Sequence, residues 1–130
     1  MRYYLLIFLL STNSFAVDLS RVIDEKLNSI AKVKTFKEQK KNLLLLQDEI
    51  KKIKKVTKLS DSDFYLATDF NKVADSISMM TSNSSENCFN TQIEVMSNYG
   101  VRSVDMSEKE LPVGAKKALE FFKILCSKKK

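Results

Sequence analysis

Apolar positions along this chain recur at three- and four-residue intervals. Leu66, Phe70, Val73, Ile77 and Met80 keep a 4-3-4-3 spacing, which puts all five on one side of a helix with 3.6 residues per turn. Ser60 precedes this run as an N-cap, and Asp61 and Asp63 sit at the positive end of the helix dipole. Upstream, Leu43, Leu46, Ile50 and Ile53 form a second stripe, widened by Leu44 and Leu45. It follows Thr35-Phe36-Lys37-Glu38, the pattern of a capping box. That helix is predicted to run to about Lys58, and its two heptads suit a bundle better than a free coiled coil. A first helix is predicted from Asp18, as N-cap, to Val33, with Leu19, Val22, Ile23, Leu27, Ile30 and Ala31 at helical spacing.

Two further helices follow the polar loop Thr81–Ser84. The fourth is predicted from about Ser84 to Tyr99, with Phe89, Ile93 and Met96 as its apolar stripe and Gly100 as a left-handed C′ residue. Residues 101–111 form a charged connection. Pro112 then suits the first turn of a fifth helix that runs to about Cys126, with Leu119, Phe122, Ile124 and Leu125 among its apolar positions. With two Gly and one Pro in 130 residues, the chain lacks the turn residues an all-β fold needs every 8–12 positions. The expected fold is all-α, a compact bundle of four to five helices.

The first sixteen residues follow another pattern. Met1-Arg2 leads into the apolar run Tyr3–Leu10, then a polar stretch and Ser14-Phe15-Ala16. A basic start, a short apolar run and small residues at −3 and −1 describe a signal peptide cleaved after Ala16. The run falls well short of the roughly 20 residues that span a bilayer. Residues 17–130 are expected to form one helical domain, periplasmic or secreted, with a frayed basic tail at residues 128–130. The leader and the Lys-, Asn- and Ser-rich composition point to a bacterial envelope.

Export makes a disulfide between the only two cysteines, Cys88 and Cys126, plausible. If the last two helices form an antiparallel hairpin, facing residues have a nearly constant sum of positions. A connection centred near 106 sets that sum at about 212, and the two cysteines give 214. They would close the open end of the hairpin.

Charge is unevenly spread. Net charge is +6, but residues 21–58 carry +7, residues 59–111 carry −6 and residues 112–130 carry +5. The basic block can pair with the acidic one inside the fold or with an anionic partner outside it. Lys37, Lys40, Lys41, Lys51, Lys52, Lys54, Lys55 and Lys58 form the candidate anionic-partner patch, against the plainer reading of a solvated helix face. Nucleic acid is disfavoured as the partner. Arginine is scarce, and no aromatic residues interleave with the lysines to stack bases.

Catalytic chemistry has little to draw on. The chain has no His, so Ser-His and Cys-His pairs, His bases and His metal ligands are excluded. Asp61, Asp63 and Asp69 lack the Gly and distal Glu of a calcium loop, and N-capping accounts for the first two. Asn83-Ser84-Ser85 matches a glycosylation sequon, which matters only in a eukaryote. No metal, cofactor or catalytic residue is expected. The leading expectation is a small exported non-catalytic protein-binding module of inhibitor, immunity-protein or holdase type, in a heteromeric complex or a homodimer. Envelope chaperones and periplasmic immunity proteins share this format but no motif with the chain. The alternative is an adaptor that binds lipid headgroups or cell-wall polymer through its lysine-rich faces.

Overall fold

A computed structural model describes residues 18–99 and 111–127. Among them are five helices and no strand: α1 (Leu19–Ala31), α2 (Phe36–Val56), α3 (Asp61–Ser78), α4 (Ser85–Asn98) and α5 (Val113–Ser127). Residues 1–17, which hold the expected leader, residues 100–110, which hold the expected C′ glycine and charged connection, and the basic residues 128–130 lie outside the described residues.

Local chemistry sets the helix starts. The side chains of Asp18, Thr35, Ser60 and Ser84 accept from the backbone N–H groups of Arg21, Glu38, Asp63 and Asn87, at 3.1–3.2 Å. Each satisfies one donor that the first helical turn leaves over. The carbonyl of Pro112 accepts from Lys116 N–H, so Pro112 stands just before the fifth helix rather than within it. The first two helices stop two residues earlier than their apolar patterns suggest, a difference within ordinary end fraying.

Interhelical bonds fix the directions. Lys40 Nζ donates to the carbonyl of Met80, and Lys54 Nζ to Thr68 Oγ1, so α2 runs antiparallel to α3. Lys26 meets Glu49 while Gln39 reaches Ala31 and Val33, so α1 runs antiparallel to α2. α4 starts just past the end of α3, and at its far end the Tyr99 hydroxyl donates to Asp69 in the middle of α3, making that pair antiparallel too. Gly114 lies against Leu66 and Phe70, and Asn83 Nδ2 donates to the carbonyl of Leu125, so α5 runs parallel to α3. The order is up, down, up, down, up.

α3 is the axial helix. α1, α2, α3 and α5 enclose the main core, with Leu19, Ile23, Leu43, Ile50, Phe70, Ile77, Leu119 and Leu125 fully or almost fully buried. The closest packing is between α3 and α5. A Cβ at Gly114 would fall on the Leu66 carbonyl oxygen and 2.8 Å from the Phe70 nitrogen, and Ala67 and Ala74 on α3 and Ala115 and Ala118 on α5 are fully buried. Small side chains let these two backbones approach, and Phe70, Phe121 and Phe122 fill the space beside them.

Buried polar side chains tie helices together rather than open a cavity. Gln39 donates to the carbonyl of Val33 (2.9 Å), closing the turn between α1 and α2. Gln47 donates to the backbone carbonyl of Asn71 and to the carboxylate of Asp75, linking α2 to α3.

The Cys88–Cys126 disulfide is formed, with Cα atoms 6.2 Å apart. The hairpin from which it was anticipated is not: α4 and α5 touch little beyond the bridge, because each packs on α3 instead. The position-sum argument survives because α3 holds one helix antiparallel and the other parallel to itself. The two cysteines therefore meet at the same end of the bundle.

Candidate functional site

Two outward helix faces carry features that the core does not use. The first is on α4. The apolar pattern assigns Phe89, Ile93 and Met96 to the core; half-buried Met96 does pack against it, but Phe89 is 58% and Ile93 49% exposed. The helix turns Thr91 and Val95 inward instead. Its two ends explain the roll. Cys88 must face α5 to form the bridge, and Tyr99 must face α3 to reach Asp69 and to lie under Lys72 Nζ, 4.7 Å from the ring centroid. Positions 88, 95 and 99 share a helix face. Anchoring that face leaves Phe89 and Ile93 roughly 120° away from it.

Burial and the carboxylate of Asp69 push the Tyr99 hydroxyl well above its ordinary value of 10.0. Tyr99 is therefore a neutral donor to Asp69 up to strongly alkaline pH, and this latch holds the far end of α4.

The second face is on α2. Lys37, Lys41, Leu44, Asp48, Lys51 and Lys55 follow one another at 4-3-4-3-4 spacing, and all are exposed. They form a stripe about 27 Å long at 1.5 Å per residue, on the side away from Leu43, Leu46 and Ile50. Lys52 and Leu45 lie beside it, and Lys58 continues it past the helix end, all exposed. Leu44 and Leu45, expected to widen the buried stripe, are 39% and 55% exposed. They fall too far around the helix to reach the core.

The eight anticipated lysines thus divide. Lys40 and Lys54 are half-buried and engaged: Lys40 closes the carbonyl end of α3 at Met80, and Lys54 meets Thr68 and stands over the Phe64 ring at 4.7 Å. The other six point to solvent and make no ion pair or hydrogen bond among the described residues. Neither engaged lysine meets a carboxylate. Among the described residues, no lysine of the patch is paired with a carboxylate of the acidic segment.

Two open grooves adjoin α1. One, of about 280 Å³, lies between α1 and α2 and is lined by Ile30, Val33, Leu45 and Leu46 with Lys26 and Glu49. The other, of about 370 Å³, lies between α1 and α5, where Lys117 holds Asp24 at 2.8 Å beside Glu120. No group of three or more potential metal ligands occurs among the described residues. No described helix is long and apolar enough to cross a membrane. Asn83, the sequon residue, has its amide nitrogen bonded to the carbonyl of Leu125.

The chain matches no family model, and neither a curated protein nor a solved structure matches it.

Proposed function

We propose that this chain is an exported, non-catalytic protein-binding module of the bacterial envelope, of inhibitor, immunity-protein or holdase type. In this reading it acts in the periplasm or outside the cell after cleavage following Ala16. The observation that carries the reading is the outward pair Phe89 and Ile93 on α4. Single exposed apolar residues are ordinary, but two large ones one turn apart present a helix face that a partner's groove can cover. Export is supported by the leader pattern and by the disulfide, which persists in oxidising compartments.

The test uses the oxidised chain from Val17 and the variant F89S/I93S. Both residues are exposed, so the variant is expected to keep its fold and melting temperature. Wild type should retain one stoichiometric protein from envelope extract at high salt. The variant should lose it, both in the extract and with the purified partner. A partner held equally by the variant, or released from wild type at high salt, counts against this face. A wild-type dimer abolished by the variant would reassign the face to self-association.

A further inference from the structure

We infer that the outward face of α2 docks the protein on an anionic lipid bilayer, with the helix axis parallel to the surface. The inference is independent of the α4 reading. Lys37, Lys41, Lys51, Lys52 and Lys55 lie along one side of a single helix, and Lys58 extends the line. Against them the stripe sets only Asp48. Among the described residues no carboxylate of the acidic segment pairs with these lysines: Asp69 accepts from Tyr99 and Asp75 from Gln47, and the lysines that do turn inward bond neutral groups. A line of exposed ammonium groups in which no lysine is ion-paired complements a surface whose negative charges are many and mobile.

The leucines select a bilayer over a soluble polyanion. Leu44 occupies the middle of the stripe and Leu45 lies beside it at the rim of the α1–α2 groove, with Lys37 and Lys41 toward one end and Lys51, Lys52 and Lys55 toward the other. At a lipid interface their side chains enter the boundary between headgroups and acyl chains, while the lysine stems extend to the phosphates. A polymer in water offers the leucines no such phase. The use of Lys rather than Arg also fits diffuse attraction to headgroups better than bidentate recognition of a fixed phosphate.

The experiment is co-sedimentation of the oxidised chain from Val17 with vesicles of phosphatidylcholine alone or with about one-third phosphatidylglycerol. That chain keeps every core residue, from Leu19 to Leu125. Binding is expected only to the anionic vesicles, and it should fall steeply between 0.1 and 1 M salt as the screening length drops from about 10 to about 3 Å. K41E/K52E/K55E should weaken binding about 100-fold or more, because each lysine near an anionic surface contributes about a fivefold factor. K128E/K129E/K130E, which changes net charge equally, should weaken it less than tenfold. L44S/L45S should weaken vesicle binding about tenfold and leave binding to soluble polyphosphate unchanged. These substitutions are at exposed or terminal positions, and circular dichroism checks the fold. Equal binding to neutral vesicles overturns the proposal, as does an equal loss in the tail variant. Vesicle affinity unaffected by L44S/L45S replaces the bilayer with a soluble polyanion. No vesicle binding beside capture of an acidic protein replaces it with that protein.

Discussion

α5 and α4 both lie on α3, but they are held there in different ways. α5 meets α3 with Gly114 against Leu66 and Phe70, and buries Ala115, Ala118, Phe121 and Phe122. α4 buries Thr91 and Val95 and is fastened at its ends, by the disulfide at one and the Tyr99–Asp69 latch at the other. One helix is held by area and the other by two anchors. A helix held by area must spend its apolar stripe on the core, whereas a helix held by anchors can keep its stripe for something else. Phe89 and Ile93 are the result.

The largest effect should come from the area-held side. Phe70 is fully buried at the α3–α5 contact, so Phe70→Ala should cost about 3–5 kcal/mol in urea unfolding. Val95→Ala, the corresponding truncation under α4, removes two methyl groups and should cost about 1.6 kcal/mol. Equal costs would mean that α4 is packed as tightly as α5, and the contrast would fall.

The anchor side is tested by Cys88→Ser/Cys126→Ser. The bridge closes a loop with a sequence separation of 38, for which the chain-entropy relation gives about 4 kcal/mol; loss of stability should approach this limit. The distribution of the loss is the sharper readout. Hydrogen exchange should accelerate in α4 well before α1, α2 and α3, because their contacts do not pass through the bridge. Uniform acceleration would show that α4 is integral to the cooperative core.

The sequence carried different amounts of information about the two regions. Caps at Asp18, Thr35, Ser60 and Ser84 and the stripes of α1 and α3 depend on near neighbours, so they were legible. The roll of α4 was not, because it depends on where Cys126 and Asp69 lie in space, and Thr91 outranks Phe89 for burial only once those anchors exist. Gln39 and Gln47 were equally hidden: they can be buried because specific carbonyls face them, an arrangement that only the tertiary fold supplies. Gly114 does carry a sequence signal, a glycine inside a helical pattern, which often marks close backbone approach. Of the lysine patch, the composition was legible. The inward turn of Lys40 and Lys54 required knowledge of which carbonyl and which ring lay across from them.

The finest distinction between the two anchors is their response to pH. The disulfide does not titrate, but the latch does. Tyr99 has a folded-state pKa raised above its ordinary value of 10.0, through burial first and Asp69 second. Below pH 10 the hydroxyl is protonated in both the folded and the unfolded chain, and its full contribution is present. As pH rises past 10 the unfolded chain loses the proton first, so the folded state binds more protons and stability falls until the folded group also ionises. Tyr99→Phe should cost about 1 kcal/mol at neutral pH, the worth of one hydrogen bond at a half-buried site, and should flatten this part of the alkaline decline. Absorbance titration of the phenolate checks the order of events. The delayed step should be missing in Tyr99→Phe, and in the cysteine double variant it should move toward 10, because a frayed α4 re-exposes the hydroxyl to water. A delayed step unchanged by loss of the disulfide would show that the latch holds α4 by itself, and α4 would then depend on one anchor rather than two.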